Sequence, residues 1–276
     1  MELKYNSNFV HSFTKISVPF NKESFSEFKY GNIYIAKKMA FELVNFFKIN
    51  LLNKTINKQI IIYSSPYSKI PNASFFLTQY FTEILLSEYP ELDLNLEKIE
   101  RNNTYSQDYG LMSAAQRFEL ISKDTYSLNN LPNKDAVLIF IDDVSITGTH
   151  QKVIENLISD NSIENEVVFL YYAKLIDNSD PKFESHLNNF KIKKYDDLAK
   201  LMLSSVFKFN TRAIKYLLSL KKEEFNFIIN VLHKNKPQLM NNLFLLAESN
   251  NYDKIDAYKN NMIELTKILK QLKSYV

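Results

Sequence analysis

VLIFIDDVSITGT, residues 137–149, joins a run of five apolar residues to two adjacent carboxylates and a loop rich in hydroxyls. A short apolar run of this kind is typical of a strand buried on both faces of a parallel sheet. In an open α/β sheet, ligands bind beyond the carboxyl ends of the strands, where free N–H groups of the next helix receive an anion. The segment therefore predicts a sugar-phosphate site. Asp142 and Asp143 would face hydroxyls or a metal, and Thr147–Thr149 would face a phosphate.

Glycine is scarce in this chain, which makes each retained glycine informative. There are three, Gly31, Gly110 and Gly148, where average usage of about 7% would give roughly nineteen. Glycine alone takes positive φ without steric cost. Gly148 therefore indicates either a close approach of the backbone to a ligand or a plain tight turn, and both interpretations stay open.

Composition bounds the class of protein. With 276 residues, 45% of them hydrophobic, the chain can bury a substantial core in one large domain or two. The net charge of +3 is too small to predict a nucleic-acid partner. The absence of cysteine excludes disulfides and thiolate chemistry. No signal-like segment and no run of about eighteen apolar residues occurs, so we expect a cytoplasmic protein without a membrane partner.

Apolar spacing predicts strands that alternate with helices, and this order is typical of βαβ units and a mostly parallel sheet. From about residue 195 onward, all periodic segments are helical. We therefore predict an α/β domain over residues 1–190 and a helical subdomain over residues 191–276. The predicted helices span residues 33–49, 73–86 and 149–159, and a further helix restarts at the capping box Ser113 to Gln116. The predicted strands span residues 59–65, 94–99, 136–141 and 166–175.

The adjacent carboxylates have three interpretations. A Walker-B strand also ends in acids, but it requires a GxxxxGK[ST] loop, which three isolated glycines cannot supply. A structural pair that caps the next helix is the second interpretation. The third keeps strand, acids and loop together as one ligand site.

Taken whole, the segment resembles the signature of type I phosphoribosyltransferases, in which apolar residues and two acids precede a loop ending in Thr-Gly. Asp142, Asp143, Thr147 and Gly148 fall on the matching positions. The resemblance implies a type I phosphoribosyltransferase-like α/β fold. It also implies that the two acids hold the ribose of phosphoribosyl pyrophosphate (PRPP) and stabilise positive charge that develops on it. The residues implied to enclose the 5′-phosphate are Ser145, Ile146, Thr147, Gly148, Thr149 and His150, the last standing where the family most often has Thr or Ser.

Flanking segments extend this resemblance. The family's pyrophosphate-binding loop follows the first core strand, a place taken here by Ser64, Ser65, Tyr67, Ser68 and Lys69. This loop lacks the usual glycine and arginine, and an ordinary strand-to-helix turn remains the alternative. Before the motif strand, Arg101, Gln107 and Arg117 resemble a pattern in competence-associated phosphoribosyltransferases, and arginine suits bidentate phosphate contacts.

Two further segments are candidates for the site. Residues 26–32 resemble an element near the start of a bacterial subgroup of phosphoribosyltransferase-like proteins, some encoded with stress-resistance genes. That resemblance implies that Lys29 and Tyr30 reach the site, although a turn before a helix explains them equally well. In the helical subdomain, Arg212 is the candidate to reach the mouth of the sheet from above.

Together these resemblances imply a magnesium-dependent phosphoribosyltransferase, a pentosyltransferase of nucleotide metabolism. It would transfer ribose 5-phosphate from PRPP to a nitrogenous base or run the reverse reaction. Mg²⁺ would be held indirectly by Asp142 and Asp143 through bound PRPP. The alternative is a regulatory protein that senses PRPP or nucleotides without turnover. We expect small-molecule partners and consider a homodimer, whereas nucleic acid is a weaker idea.

Overall fold

Five parallel strands form the central sheet of the computed structural model, which describes residues 5–101, 126–177 and 180–273. The middle strand pairs on both edges and its first five residues are buried, which explains why that run is entirely apolar. Across the sheet the strands lie in the order β1 (Tyr5–Phe13), β7 (Glu166–Leu175), β6 (Val137–Ser145), β2 (Ile60–Ser64) and β3 (Leu94–Glu97).

Helices cover both faces of the sheet, as βαβ connections require. In the residues that the structure describes, one face packs against four helices of the N-terminal half and against Phe183 and Leu187 of a later helix, and the other face packs against one helix and a small antiparallel pair of strands. On the first face lie α1 (Lys22–Lys29), α2 (Ile33–Asn50), α3 (Leu52–Thr55) and α4 (Ala73–Glu88), and on the second lie α5 (Thr149–Asp160), β4 (Ile99–Arg101) and β5 (Tyr126–Leu128).

The C-terminal helices form a hydrophobic core of their own, which Tyr30 and Ile70 join from the α/β part. A parallel strand is absent from the described residues after β7, so the predicted helical region is confirmed. The domain boundary at residue 190 stays a prediction.

After α6 (Pro181–Asn188) the helices are α7 (Tyr195–Leu203), α8 (Thr211–Leu218), α9 (Lys222–Asn235), α10 (Pro237–Ser249), a 3₁₀ turn (Tyr252–Lys254) and α11 (Asp256–Lys273). Within the described ranges, none of the helices has the length and apolar character needed to span a membrane.

Three local predictions need correction. The apolar spacing predicts no strand or helix before residue 33, whereas β1 and α1 lie there. The strand predicted at 94–99 is broken at Lys98, because β4 leaves the sheet to pair with β5. The strand predicted at 136–141 continues to Ser145, since residues beyond the apolar run still pair with β7. The helix predicted from Ser113, and the candidates Gln107 and Arg117, lie outside the described residues.

Gly31 fixes the N-terminal helices against the helical subdomain. Its φ is +106°, and a Cβ built there would lie 2.1 Å from the carbonyl oxygen of Lys208. The Lys208 N–H donates to the Gly31 carbonyl at 2.9 Å, and the Ile33 N–H donates to Val206 at 2.9 Å. The two backbones therefore approach too closely for any side chain at position 31.

Gly31→Ala should destabilise the protein by about 3 kcal/mol, because it adds a steric clash with backbone to an unfavourable φ. Gly148→Ala is the matched control. Gly148 also has positive φ, +70°, but a Cβ there meets nothing within 4 Å, so its cost should be only about 1 kcal/mol. Urea unfolding of both variants measures the difference, and equal losses would contradict the backbone contact at Gly31.

Candidate functional site

A cavity of about 650 Å³ opens beyond the carboxyl ends of β2 and β6, and Tyr171 of β7 also lines it. Its floor is formed by the loop after β2 and by residues from Asp142 to the first turn of α5. Its roof comes from the helical subdomain, including Arg212, Tyr252 and Tyr258. The cavity thus occupies the place where open α/β sheets bind ligands.

The two aspartates lie within β6, so their side chains point to opposite faces of the sheet and find different partners. Asp143 is 3% exposed and pairs with Lys29 of α1, the Nζ and Oδ2 atoms being 2.6 Å apart. Asp142 contacts His150 of α5, with 3.2 Å between Oδ2 and Nδ1. The Asp143 N–H also donates to Asp142 Oδ1 at 2.9 Å.

These environments separate the two pKa values. For Asp143, burial raises the pKa by more than the charge of Lys29 lowers it, and the neighbouring Asp142 raises it further. Burial also raises the pKa of Asp142, but the hydrogen bond and charge of His150, together with Lys29, bring it below its ordinary value. Asp142 is therefore the carboxylate that holds its negative charge more firmly.

The Thr147–Thr149 turn presents an anion-binding helix terminus. Gly148 is the N-cap of α5 and has left-handed φ, so the glycine is required by backbone conformation and not by packing. It has no side chain to cap the helix; the Thr149 N–H donates weakly to the Thr147 hydroxyl at 3.4 Å, and the next N–H groups of the first turn point toward a potential anionic ligand. The hydroxyls of Thr147 and Thr149 lie 2.7 Å apart and line the same cavity.

The loop after β2 is held by three neighbouring elements. Asn250 accepts a hydrogen bond from the Lys69 N–H at 3.0 Å, Asn72 donates to the Ser65 carbonyl at 3.1 Å, and the Arg101 N–H donates to Tyr67 at 3.3 Å. Among the residues predicted to bind pyrophosphate, Ser65, Tyr67 and Ser68 line the cavity. Ser64 is buried beneath it and the exposed Lys69 lies outside its lining.

The other described candidates also meet at this cavity. Its lining includes Lys29, Tyr30, Arg101, Ser145, Ile146 and Arg212. Tyr30 is held there by its hydroxyl, which donates to Asn189 at 2.6 Å. Sequence reasoning missed Lys215, Tyr216, Tyr252 and Glu184, which line the cavity as well. The spacing of Arg212, Lys215 and Tyr216 along one helix was the available signal, but only the tertiary structure shows which face of that helix is covered.

A family model described as PRTase ComF-like matches residues 7–265. The chain belongs to this family. That result confirms the resemblance of the β6 segment to phosphoribosyltransferases and the type I phosphoribosyltransferase-like fold class.

Solved structures similar to this chain include two phosphoribosyltransferases. A hypoxanthine phosphoribosyltransferase from Staphylococcus aureus is 12% identical with a TM-score of 0.34, and the match covers 51% of this chain and 75% of that one. An adenine phosphoribosyltransferase from Trypanosoma brucei is 14% identical with a TM-score of 0.34, with coverage of 61% and 87%. The search of curated proteins finds no match.

Lys29→Met should destabilise the protein by about 3 kcal/mol, because it leaves Asp143 buried without its cation. The loss should shrink at acidic pH, where a carboxyl group with a raised pKa takes up a proton. Adding Asp143→Asn should restore part of the stability. Lys58→Met removes a more exposed ion pair with Glu166 and should cost below about 1 kcal/mol. Chemical denaturation at two pH values tests this, and equal costs for Lys29→Met and Lys58→Met would contradict it.

The pKa of His150 should lie above its ordinary value of 6.5 and should fall in Asp142→Asn. Partial desolvation of the ring at the cavity lowers this pKa, but the hydrogen bond and charge of Asp142, together with the charge of Glu184, raise it by more. Because the pKa of His150 is raised in the folded protein, its pairing with Asp142 contributes fully to stability below pH 6.5. That contribution to stability is lost as the pH rises through the raised pKa. NMR titration of the His150 ring measures the shift. Asp135→Asn, at the exposed amino end of β6, is the control, and an equal effect of both variants would refute the coupling.

Proposed function

We propose that this protein binds PRPP in the cavity above β6 and transfers its ribose 5-phosphate to a nitrogenous base, or catalyses the reverse reaction. One observation carries the proposal: the acid pair, the Thr147–Thr149 turn and the loop Ser65–Ser68 all line a single cavity. A ribose, a 5′-phosphate and a diphosphate each have complementary groups there. Membership in the PRTase ComF-like family supports phosphoribosyl transfer as the general activity.

The carboxylates suit the bond that breaks. When the bond between C1′ and the diphosphate oxygen breaks, positive charge develops on the ribose, and nearby negative charge stabilises it. Asp142, with its lowered pKa, is ionised at neutral pH and supplies that charge. Asp143 is already paired with Lys29, so it orients the ribose hydroxyls more than it contributes net charge. Both aspartates act electrostatically and neither is required as a covalent nucleophile.

Magnesium fits this site as a companion of the substrate. In residues 5–101, 126–177 and 180–273 there is no cluster of three or more histidine or acidic side chains able to hold a metal ion. Asp142 and Asp143 are only two carboxylates, and each already contacts a basic side chain, His150 or Lys29. They would hold magnesium through the ribose and diphosphate, where the ion neutralises the charge of the leaving diphosphate.

The wild-type protein should bind PRPP in the presence of magnesium, and Asp142→Asn with Asp143→Asn should weaken binding by about tenfold or more. Isothermal titration calorimetry measures both. Asp135→Asn is the matched control, since it removes a carboxylate at the opposite end of the same strand. Failure of the wild type to bind, or unchanged binding by the double variant, would refute the proposal.

A PRPP or nucleotide sensor without turnover is the second candidate function. The ion pair between Lys29 and Asp143 favours it, because it neutralises one of the two acids before any ligand enters. The segment Val144–Ile146 also adds no acidic or basic side chain next to them. Diphosphate release assayed across a panel of bases separates the candidates. Tight binding of PRPP without release for any base would favour the sensor, and release would favour the transferase.

A further inference from the structure

Helix α8 has one face in the helical core and the other in the cavity. Ala213, Ile214, Leu217 and Leu218 are buried among the C-terminal helices. The intervening positions line the cavity, namely Thr211, Arg212, Lys215, Tyr216 and Ser219. The helical period therefore directs both cations of α8, Arg212 and Lys215, toward the candidate site.

The start of α8 is fixed directly beside the loop after β2. The Thr211 N–H donates to the Pro71 carbonyl at 2.9 Å, and the Thr211 hydroxyl donates to the Ile70 carbonyl at 2.7 Å. Ile70 and Pro71 immediately follow that loop in the chain. Arg212, the next residue after Thr211, is thus held at the edge of the loop by bonds that do not involve its own side chain.

The loop itself brings no cation to the cavity. Its lining residues are Ser65, Pro66, Tyr67 and Ser68, all neutral. Lys69 is exposed and outside the lining. A diphosphate carries several negative charges and is bound most strongly by charge-assisted hydrogen bonds, above all by the planar fork of arginine. Any cation that meets a diphosphate at this loop must therefore come from another element. Arg101 of β4, whose N–H donates to the Tyr67 carbonyl, and the cations of α8 both line the cavity.

We propose that Arg212 and Lys215 of the helical subdomain complete a diphosphate-binding subsite over the loop Ser65–Ser68. The inference rests on the proposed function, because it assigns one part of PRPP to one part of the cavity. The 5′-phosphate end is assigned to the Thr147–Thr149 turn, which belongs to the α/β part. The helical subdomain is thus needed for the diphosphate end, where it adds cations to the loop Ser65–Ser68, and not for the 5′-phosphate end.

Three probes separate the two ends: PRPP, inorganic pyrophosphate and ribose 5-phosphate, each titrated with magnesium present. Arg212→Gln and Lys215→Gln, singly and together, should weaken PRPP and pyrophosphate by about tenfold or more. Ribose 5-phosphate should change by less than about twofold, since it lacks the diphosphate. Arg212→Lys should recover part of the lost affinity because it keeps the charge but not the fork. Lys234→Gln, an exposed lysine of α9, should change nothing.

Each outcome has one meaning. The subsite is overturned if the variants weaken the binding of all three probes equally, or if they do not weaken the binding of PRPP and pyrophosphate. In either case the proposed function stands as long as the wild type binds PRPP. Absence of binding of both PRPP and ribose 5-phosphate by the wild type overturns the proposed function and the subsite together. Thermal unfolding of each variant verifies folding, and the conservative Arg212→Lys decides the result if the glutamine variants unfold.

Discussion

Lys29 joins the three parts of the molecule through two hydrogen bonds. Its Nζ pairs with Asp143 at the end of the central strand, while its carbonyl accepts a bond from Asn210 at the start of α8, at 3.0 Å. One residue of the N-terminal helix α1 therefore fixes both the sheet and the helical subdomain. Gly31, two positions later, allows the backbone of the same segment to approach Lys208. These contacts help to set the distance between the sheet and the roof of the cavity.

The alternation of a β-strand gives the two adjacent aspartates separate roles. Since β6 continues through both, one side chain meets α1 and the other meets α5. The partner of Asp143 is a lysine in a buried setting, and that of Asp142 is a histidine whose side chain is 53% exposed. Had the strand ended before Asp142, both acids would lie in a loop without this separation. The fold thus moves the pKa values of the two aspartates in opposite directions before any ligand binds.

How much of the structure can be predicted from the sequence depends on how local each sequence signal is. The central strand, the helix after it and the C-terminal helices were predictable because burial on both faces, or on one helical stripe, leaves a clear apolar pattern. Strand β1 was missed since it lies at the edge of the sheet and most of it is only half-buried, which mixes polar and apolar residues. The break at Lys98 depends on pairing with β5, and no local pattern encodes it. Lys215 was missed because sequence periodicity shows a polar face but not what covers it.

The lack of glycine in the loop after β2 bears on what the helical roof contributes to the site. A glycine-rich loop can bring successive backbone N–H groups close to phosphate oxygens, since it tolerates positive φ and has no side chains to intervene. The loop Ser65–Ser68 has no glycine and includes a proline, which has no N–H to donate. A site built on such a loop must obtain its positive charge and its donors from side chains. Helix α8, anchored to the residues just after the loop by Thr211, is placed to supply them. The glycine-free loop and the cations of the helical subdomain are therefore complementary parts of one candidate site.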